Sequence, residues 1–343
     1  MSETKSLKRI KGKLALSVLF SIALTFFTCY LLVALGSWFI FSTLDFINIL
    51  IIASIYAGIQ ILLQFILAPW SIQSHFGNKL RFITQGENPQ VWDMVDKMAQ
   101  QAKVKFSKIG ILQTDELNAF VYWGLGDGNT IVFTEGLINR LDTEELHGVC
   151  GHEIGHVKHG DLKAMIFLST IPIFIHTFYS FSQSTGKYKK DSLSWLLIIL
   201  VFFVALIVNT YLSLYISRLR EYNADANSTQ MMKSPVPIAA ALAKITYKNI
   251  GKGNKLLATR KEINSLCIID PHSVARQTND LAKTINSIHE IADQIDDPDI
   301  DQNELEKEME KEKKSGNELE RTHPLTVNRI QFVVELSKEA GYI

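Results

Sequence analysis

Two long stretches without a single charged side chain constrain this chain more than any other feature. Leu14 to Phe41 and Phe46 to Ile72 contain no Asp, Glu, Lys or Arg, and only a short turn around Ser42–Asp45 divides them. Each exceeds the roughly 20 apolar residues that carry a helix across a bilayer core. Core helices of a water-soluble protein rarely run so long without charge, and a signal-peptide apolar region is only about 7–15 residues. The pattern predicts a helical hairpin in a membrane, with spans at about 14–41 and 46–72. Residues 1–13 hold Lys5, Lys8, Arg9, Lys11 and Lys13 against Glu3. That basic start stays in the cytoplasm, and two crossings return the chain there near His75–Arg81.

A second uncharged pair follows. Ala164–Gly186 is interrupted by Pro172 and His176, whereas Ser192–Ser217 is cleaner. Together they predict another transmembrane hairpin, with spans at about 164–183 and 193–217. Its connector, Lys187 to Asp191, then lies outside the cytoplasm despite three lysines. The chain divides accordingly into a basic start (1–13), a first hairpin (14–72), a soluble piece (73–163), a second hairpin (164–217) and a second soluble piece (218–343).

The charge balance excludes other classes. Lys+Arg 35 against Asp+Glu 35 leaves no net charge in 343 residues, so there is no basic excess to neutralise nucleic-acid phosphates. Cys29, Cys150 and Cys267 are widely separated with no CxxC, which indicates neither a disulfide framework nor a cysteine zinc site. The acidic run 293–320 reads as a solvated surface.

The soluble pieces carry short local signals. Val91–Ala102 has helical spacing after Asn88-Pro89, and Lys108–Gln113 is a strand candidate. Phe120–Trp123 and Thr130–Thr134 read as strands joined by a turn over Gly124–Asn129. Gly136–Leu141 is a helical turn. Asp142 with Glu145 three residues on resembles a capping box that starts a helix from Thr143 to about His159. Arg218–Met232 continues the last span as helix, Pro235 and Pro237 break it, and Ile238–Asn249 begins another.

The chemistry lies in the first of those helices. His152-Glu153-Ile154-Gly155-His156 is HExxH. Positions four apart on a helix rise about 6 Å on nearly one face, so both imidazoles can reach one metal ion. Glu153, about 100° around the helix, can then act as a base toward water activated by zinc. A third ligand is required. The pattern with glycine at 159 and histidine at 162 is absent, since this chain has His159 and Leu162. Arg218-Leu219-Arg220-Glu221-Tyr222-Asn223-Ala224-Asp225 supplies Glu221 as the ligand, with Asp225 on the same face to hydrogen-bond a ligand histidine. Two crossings separate His156 from Glu221, which returns both to the same side of the membrane. Arg218 or Arg220 could orient Glu221 or Asp225. His147, His159, His176, His75, His272 and His289 carry no ligand pattern.

His152–His156, Arg218–Asp225, Asn118-Ala119-Phe120 and Thr322-His323-Pro324 together resemble the HtpX-type membrane zinc metalloproteases, gluzincins of the superfamily that includes the CAAX prenyl endoproteases. The resemblance covers most of the chain. It implies a mainly α, multi-pass membrane protein, in which an α+β zincin-like protease domain with a small sheet is interrupted by a transmembrane helix pair. It implies one Zn2+ per chain, substrates that are damaged membrane proteins or unfolded polypeptides, and a place in the bacterial plasma (inner) membrane with the active site facing the cytoplasm. By the same resemblance Asn118-Ala119-Phe120 opens an edge strand that aligns the substrate backbone, and His323 helps stabilise the tetrahedral intermediate. The acidic stretch before Thr322 is longer than the family's compact form. Two other readings stay open: a CAAX-type protease acting on prenylated peptides, and a catalytically silent zinc-binding membrane scaffold.

Overall fold

The computed structural model describes residues 4–41, 46–124, 128–161, 164, 193–249 and 323–343. The chain begins with α1 (Lys5–Phe41) and α2 (Phe46–Phe76), joins through a 3-10 turn at Gly77–Lys79 to β1 (Leu80–Ile83), and continues with α3 (Pro89–Ala102). Strands β2 (Lys108–Leu112), β3 (Ala119–Gly124) and β4 (Gly128–Thr134) follow, then α4 (Glu135–Arg140) and α5 (Thr143–His159). The remaining helices are α6 (Leu193–Met232), α7 (Val236–Asn249) and α8 (Thr326–Ala340).

Local chemistry sets several of these boundaries. At the start of α3, Asn88 accepts from the Val91 amide, and Pro89 occupies the first turn, where a missing N–H costs nothing. At the start of α5 both halves of the capping box form: Glu145 N donates to Asp142 Oδ1 at 2.9 Å, and Asp142 N donates to Glu145 Oε2 at 3.0 Å. The far end of α5 closes on Gly160, whose φ of 71° is the left-handed conformation that glycine adopts without a Cβ penalty. The strand and helix expectations from Val91 to His159 all agree with the structure to within one or two residues.

Two elements had no sequence expectation. β1 is four residues long and includes Arg81, too short for an alternation to register. It exists because it pairs antiparallel with β2, Leu80 opposite Leu112. Leu325, the residue before α8, offers no capping side chain, so that N-terminus carries no local start signal.

The sheet order is β1-β2-β4-β3. β2 and β4 are parallel, while β3 and β4 form an antiparallel hairpin, which leaves β3 at the edge of this four-stranded sheet. Period-2 alternation gives the sheet two buried faces. Ala119, Val121, Ile131 and Phe133 enter a large core with Val91 and Val95 of α3, Leu146 and Val149 of α5, Leu242 of α7 and Val333 of α8. Phe120, Tyr122, Val132 and Leu112 pack instead on Ile72 and Phe76, at the end of α2. The sheet is thereby seated directly on the end of the apolar hairpin.

The long helices have the opposite polarity from helices of water-soluble proteins. Leu16, Leu19, Phe20 and Phe27 of α1 are exposed, as are Ile47, Ile51, Ile55 and Trp70 of α2 and Leu200, Phe203 and Val204 of α6. The buried side chains of the same helices include Ser21, Thr25 and Thr28 of α1 and Asn209 of α6. Among the described residues one stretch, Lys5–Thr28 with a mean hydropathy of 1.7 over its most apolar window, is long and apolar enough to cross a bilayer. The expected spans 46–72 and 193–217 fall within α2 and α6. Apart from Ala164, the expected span 164–183, with Pro172 and His176, lies outside the described residues, as do 125–127 of the expected turn, the connector Lys187–Asp191, the acidic run 293–320, His272, His289 and Thr322.

Candidate metal centre

The site forms where α5 and α6 press together. Three glycines on α5 face α6 and α7 so closely that a side chain would collide. A Cβ at Gly155 would stand 3.0 Å from Ala224 Cα, one at Gly151 would stand 3.2 Å from Ser228 Cα, and one at Gly148 would stand 2.8 Å from the Ile238 amide nitrogen. The approach is held by polar bonds across the seam. Ser228 Oγ donates to the Gly148 carbonyl at 2.6 Å, and Asn227 Nδ2 donates to the Gly151 carbonyl at 2.8 Å. Backbones this close allow short side chains on the two helices to meet.

His152, His156 and Glu221 do meet. Their ligand atoms all lie within 4.8 Å of one another, and all three residues are buried. The Nε2 atoms of the two rings are 3.1 Å apart. Glu221 Oε2 is 3.6 Å from His152 Nε2, and Glu221 Oε1 is 3.5 Å from His156 Nε2. Each ring is oriented from behind: His152 Nδ1 faces Asp225 Oδ1 at 2.8 Å, and His156 Nδ1 faces Asp161 Oδ2 at 2.7 Å. An Nδ1–H bond to a carboxylate directs Nε2 inward and, in the neutral ring, leaves Nε2 unprotonated, the tautomer a metal ligand needs.

Further charges close the site. Arg329 of α8 holds Asp225 through Nε to Oδ2 at 2.8 Å and Nη2 to Oδ1 at 2.7 Å, and its Nη1 lies 3.5 Å from Glu221 Oε2. His323 Nδ1 is 3.1 Å from Glu221 Oε2. Arg220 Nε lies 3.5 Å from Asp161 Oδ2. Arg218 is also buried on α6, near Arg220 in the chain.

Sequence reasoning missed Asp161 and Arg329. The signal for Asp161 was a glycine stop followed at once by an acid, because the left-handed turn at Gly160 swings the chain back under His156. The signal for Arg329 was an arginine set among Val327, Ile330, Val333 and Val334, on the apolar positions of a helix.

Glu153, Glu221, Asp225 and Asp161 are buried together with Arg220 and Arg329, so every charge in the cluster depends on its immediate neighbours. Burial disfavours the charged form of both histidines. Asp225 and Glu221 overcome that at His152 and lift it to about 9, while His156 stays below its ordinary value. Burial pushes the Glu153 carboxyl up to about 8, against the opposing pull of His152. Both Glu153 oxygens are buried without a hydrogen-bond partner in the protein. An unsatisfied buried carboxylate beside two inward-facing imidazoles is the signature of a group poised toward a ligand.

Asn118, Ala119 and Phe120 are all buried at the start of β3. The Asn118 carbonyl accepts from Thr134 N at 3.0 Å and from Thr134 Oγ1 at 2.9 Å, which pins the strand start to β4. β3 packs near both α5 and α2, so the strand lies beside the HExxH helix.

An HExxH helix closed by a glutamate from a second helix, on a mainly helical fold with a small mixed sheet, defines a metallopeptidase of the gluzincin kind. Residues 85–337 match the model of peptidase family M48, and the chain belongs to that family. It is similar to proteins described as "Protease HtpX homolog". One from Methanothermobacter thermautotrophicus is 30% identical over 188 residues, covering 55% of this chain and 70% of the relative. One from Bacteroides fragilis is 30% identical over 248 residues, covering 65% and 74%. One from Pyrococcus abyssi is 34% identical over 201 residues, covering 55% and 69%. Among solved structures, S. mikatae Ste24p aligns with a TM-score of 0.43 at 22% identity, over 77% of this chain and 63% of that one.

Proposed function

We propose that this chain is a zinc-dependent endopeptidase anchored in a membrane by its long apolar helices, with substrates drawn from damaged membrane proteins and unfolded polypeptides. The observation that carries the catalytic part is the pair of buried, unpartnered Glu153 oxygens beside the inward Nε2 atoms of His152 and His156. The membrane part is supported by the inverted polarity of α1, α2 and α6, since contiguous exposed apolar bands of this size are otherwise an aggregation hazard. Basic residues 1–13 support a site on the cytoplasmic side. The protease domain is then read as two pieces, 73–163 and 218–343, separated by a second hairpin over 164–217.

His152 Nε2, His156 Nε2 and Glu221 would hold the zinc ion, and Asp225, Asp161 and Arg329 fix those ligands. The chemistry such an ion supplies when bound is Lewis acidity, which acidifies water and polarises a peptide carbonyl. The protein's own groups do the remainder. Glu153 takes a proton at one Oε as water attacks the carbonyl carbon, then returns it to the departing amine nitrogen. With Nδ1 turned toward Glu221, His323 has Nε2 as the nitrogen to donate to the developing oxyanion. β3 is an outer strand of the described sheet, and pairing along its backbone would hold an extended substrate, a mode that is indifferent to sequence and suits unfolded targets.

Glu153→Gln tests the reading. Detergent-purified protein should keep its zinc and lose casein hydrolysis by about 100-fold or more. Retained hydrolysis by the variant, with contaminating protease excluded, overturns the assignment. Cleavage of a prenylated peptide with none of casein would favour a CAAX-type enzyme instead.

A further inference from the structure

The first helix is more than an anchor. Leu7 is 1% exposed within the main protease core. Ser6 donates from both its amide and its hydroxyl to the Glu339 carboxylate of α8. The turns that precede the apolar part of α1 are thus fastened to the helix that carries Arg329. Directly above this joint is an open-mouthed cavity of about 380 Å3, lined by Arg9 and Lys13 of α1, Leu219 of α6, and Asn328, Gln331 and Phe332 of α8.

We propose that this cavity binds the headgroup of an acidic phospholipid and that the bound lipid braces α8 against α1. The proposal rests on the membrane placement above. Its depth fits. Exposed apolar side chains on α1 begin at Leu16, roughly 5 Å along the helix from Lys13, and on α6 they end at Tyr211, roughly 12 Å before Leu219. The cavity therefore opens about where headgroup phosphates lie outside the hydrocarbon core.

Its chemistry fits as well. A phosphodiester monoanion would be met by the Arg9 guanidinium and the Lys13 ammonium, with the amide side chains of Asn328 and Gln331 on the opposite wall. The buried side chains of Leu219 and Phe332 give the glycerol and upper acyl carbons an apolar floor. The acid on this wall, Glu335, accepts from Gln331 Nε2 at 2.9 Å. A choline headgroup would bring a trimethylammonium toward the same two cations, so selection favours an acidic lipid. Residues 1–13, with five cations against one acid, concentrate such lipids at the surface. Asn328 is the immediate neighbour of Arg329, so an occupant held across the cavity steadies the helix that fixes Asp225.

Native mass spectrometry of the zinc-loaded 343-residue chain, released from mixed micelles of phosphatidylglycerol and phosphatidylcholine, tests this. Phosphatidylglycerol should be retained in preference. Arg9→Gln with Lys13→Gln should weaken its binding about tenfold or more, while Lys5→Gln with Lys8→Gln, which removes equal charge outside the cavity, should change it less than about threefold. Glycerol 1-phosphate should fail to compete. Equal losses in the two double variants, equal retention of phosphatidylcholine, or competition by glycerol phosphate at lipid concentrations would each overturn the proposal. Binding is read without catalysis, so lipid retention that depends on Arg9 and Lys13 in a protein that hydrolyses nothing would overturn the protease reading alone. Recovery of the chain from the aqueous phase without detergent would overturn the membrane placement and this proposal with it, and leave the protease chemistry standing.

Discussion

The glycine seam between α5 and α6 makes the most quantitative demand on the structure. Replacing Gly155 by Ala puts a Cβ 3.0 Å from Ala224 Cα, 3.1 Å from Asn227 Cβ and 3.3 Å from the Ala224 carbonyl oxygen. Ordinary carbon contacts begin at about 3.4–3.5 Å, so the helices must separate by a few tenths of an ångström, and two of the obstructing atoms are backbone that cannot swing aside. Ala224 is three residues from Glu221, and Gly155 adjoins His156. The displacement therefore passes into the 3.5–3.6 Å spacing between Glu221 and the two imidazoles, where a metal site tolerates only about 0.2 Å. Overpacking costs about 1–3 kcal/mol and the better helix propensity of Ala returns about 1. Gly155→Ala should thus lose up to about 2 kcal/mol of stability, yet weaken zinc about 10–100-fold. Gly148→Ala serves as the contrast. Its Cβ meets Ile238 N and the Pro237 carbonyl carbon at 2.8 Å, a harder collision two helical turns from His156. It should melt at the lower temperature of the two while keeping the tighter zinc. Chelator competition for zinc, paired with thermal melts of both variants, measures the order. If Gly155→Ala binds zinc like the parent and melts higher, the seam does not set the ligand spacing and the reasoning is wrong.

Other perturbations address the carboxylates and Arg329. Asp225→Asn and Asp161→Asn should each weaken zinc about 10–100-fold by releasing the imidazole they orient; unchanged zinc titrations would deny them that role. Arg329→Met strands the buried Asp225 charge and should cost about 3–5 kcal/mol, whereas Arg329→Met with Asp225→Asn should recover much of that loss; equal melting of the single and double variants would count against the pair. Burial raises the Asp225 carboxyl, but the Arg329 guanidinium and His152 outweigh it and hold it below its ordinary value. Its stabilisation is therefore present above the ordinary aspartate range and lost as pH falls through the depressed value. Acid melts of metal-depleted protein should show a shallower slope for the double variant than for the parent, though not a flat one, because Glu221 is also held well below its ordinary value. Identical slopes would contradict that assignment.

What could be read from the residues depended on whether the signal was local. The HExxH pair, the capping box at Asp142–Glu145 and the turn-linked strands Phe120–Trp123 and Thr130–Thr134 are set by spacings of a few residues, and the structure reproduces each of those elements. Glu221 and Asp225 were legible because four-residue spacing fixes a common helical face whatever surrounds it. Arg220 shows where that logic stops: its place beside Asp161 depends on where the chain runs once Gly160 has turned it, which no spacing within α6 records.

The apolar helices, the catalytic word on α5 and the class of ligand that could complete it follow from neighbouring residues, since helical period and charge-free length are local properties. The folded arrangement is what brings Arg329 to Asp225 from 104 residues away and sets His323 against Glu221. It also decided that β1 exists and that the first turns of α1 belong to the protease core. Those facts come from pairing between distant segments, whose partners are chosen by packing and by the cost of leaving a buried charge alone. No local spacing records them.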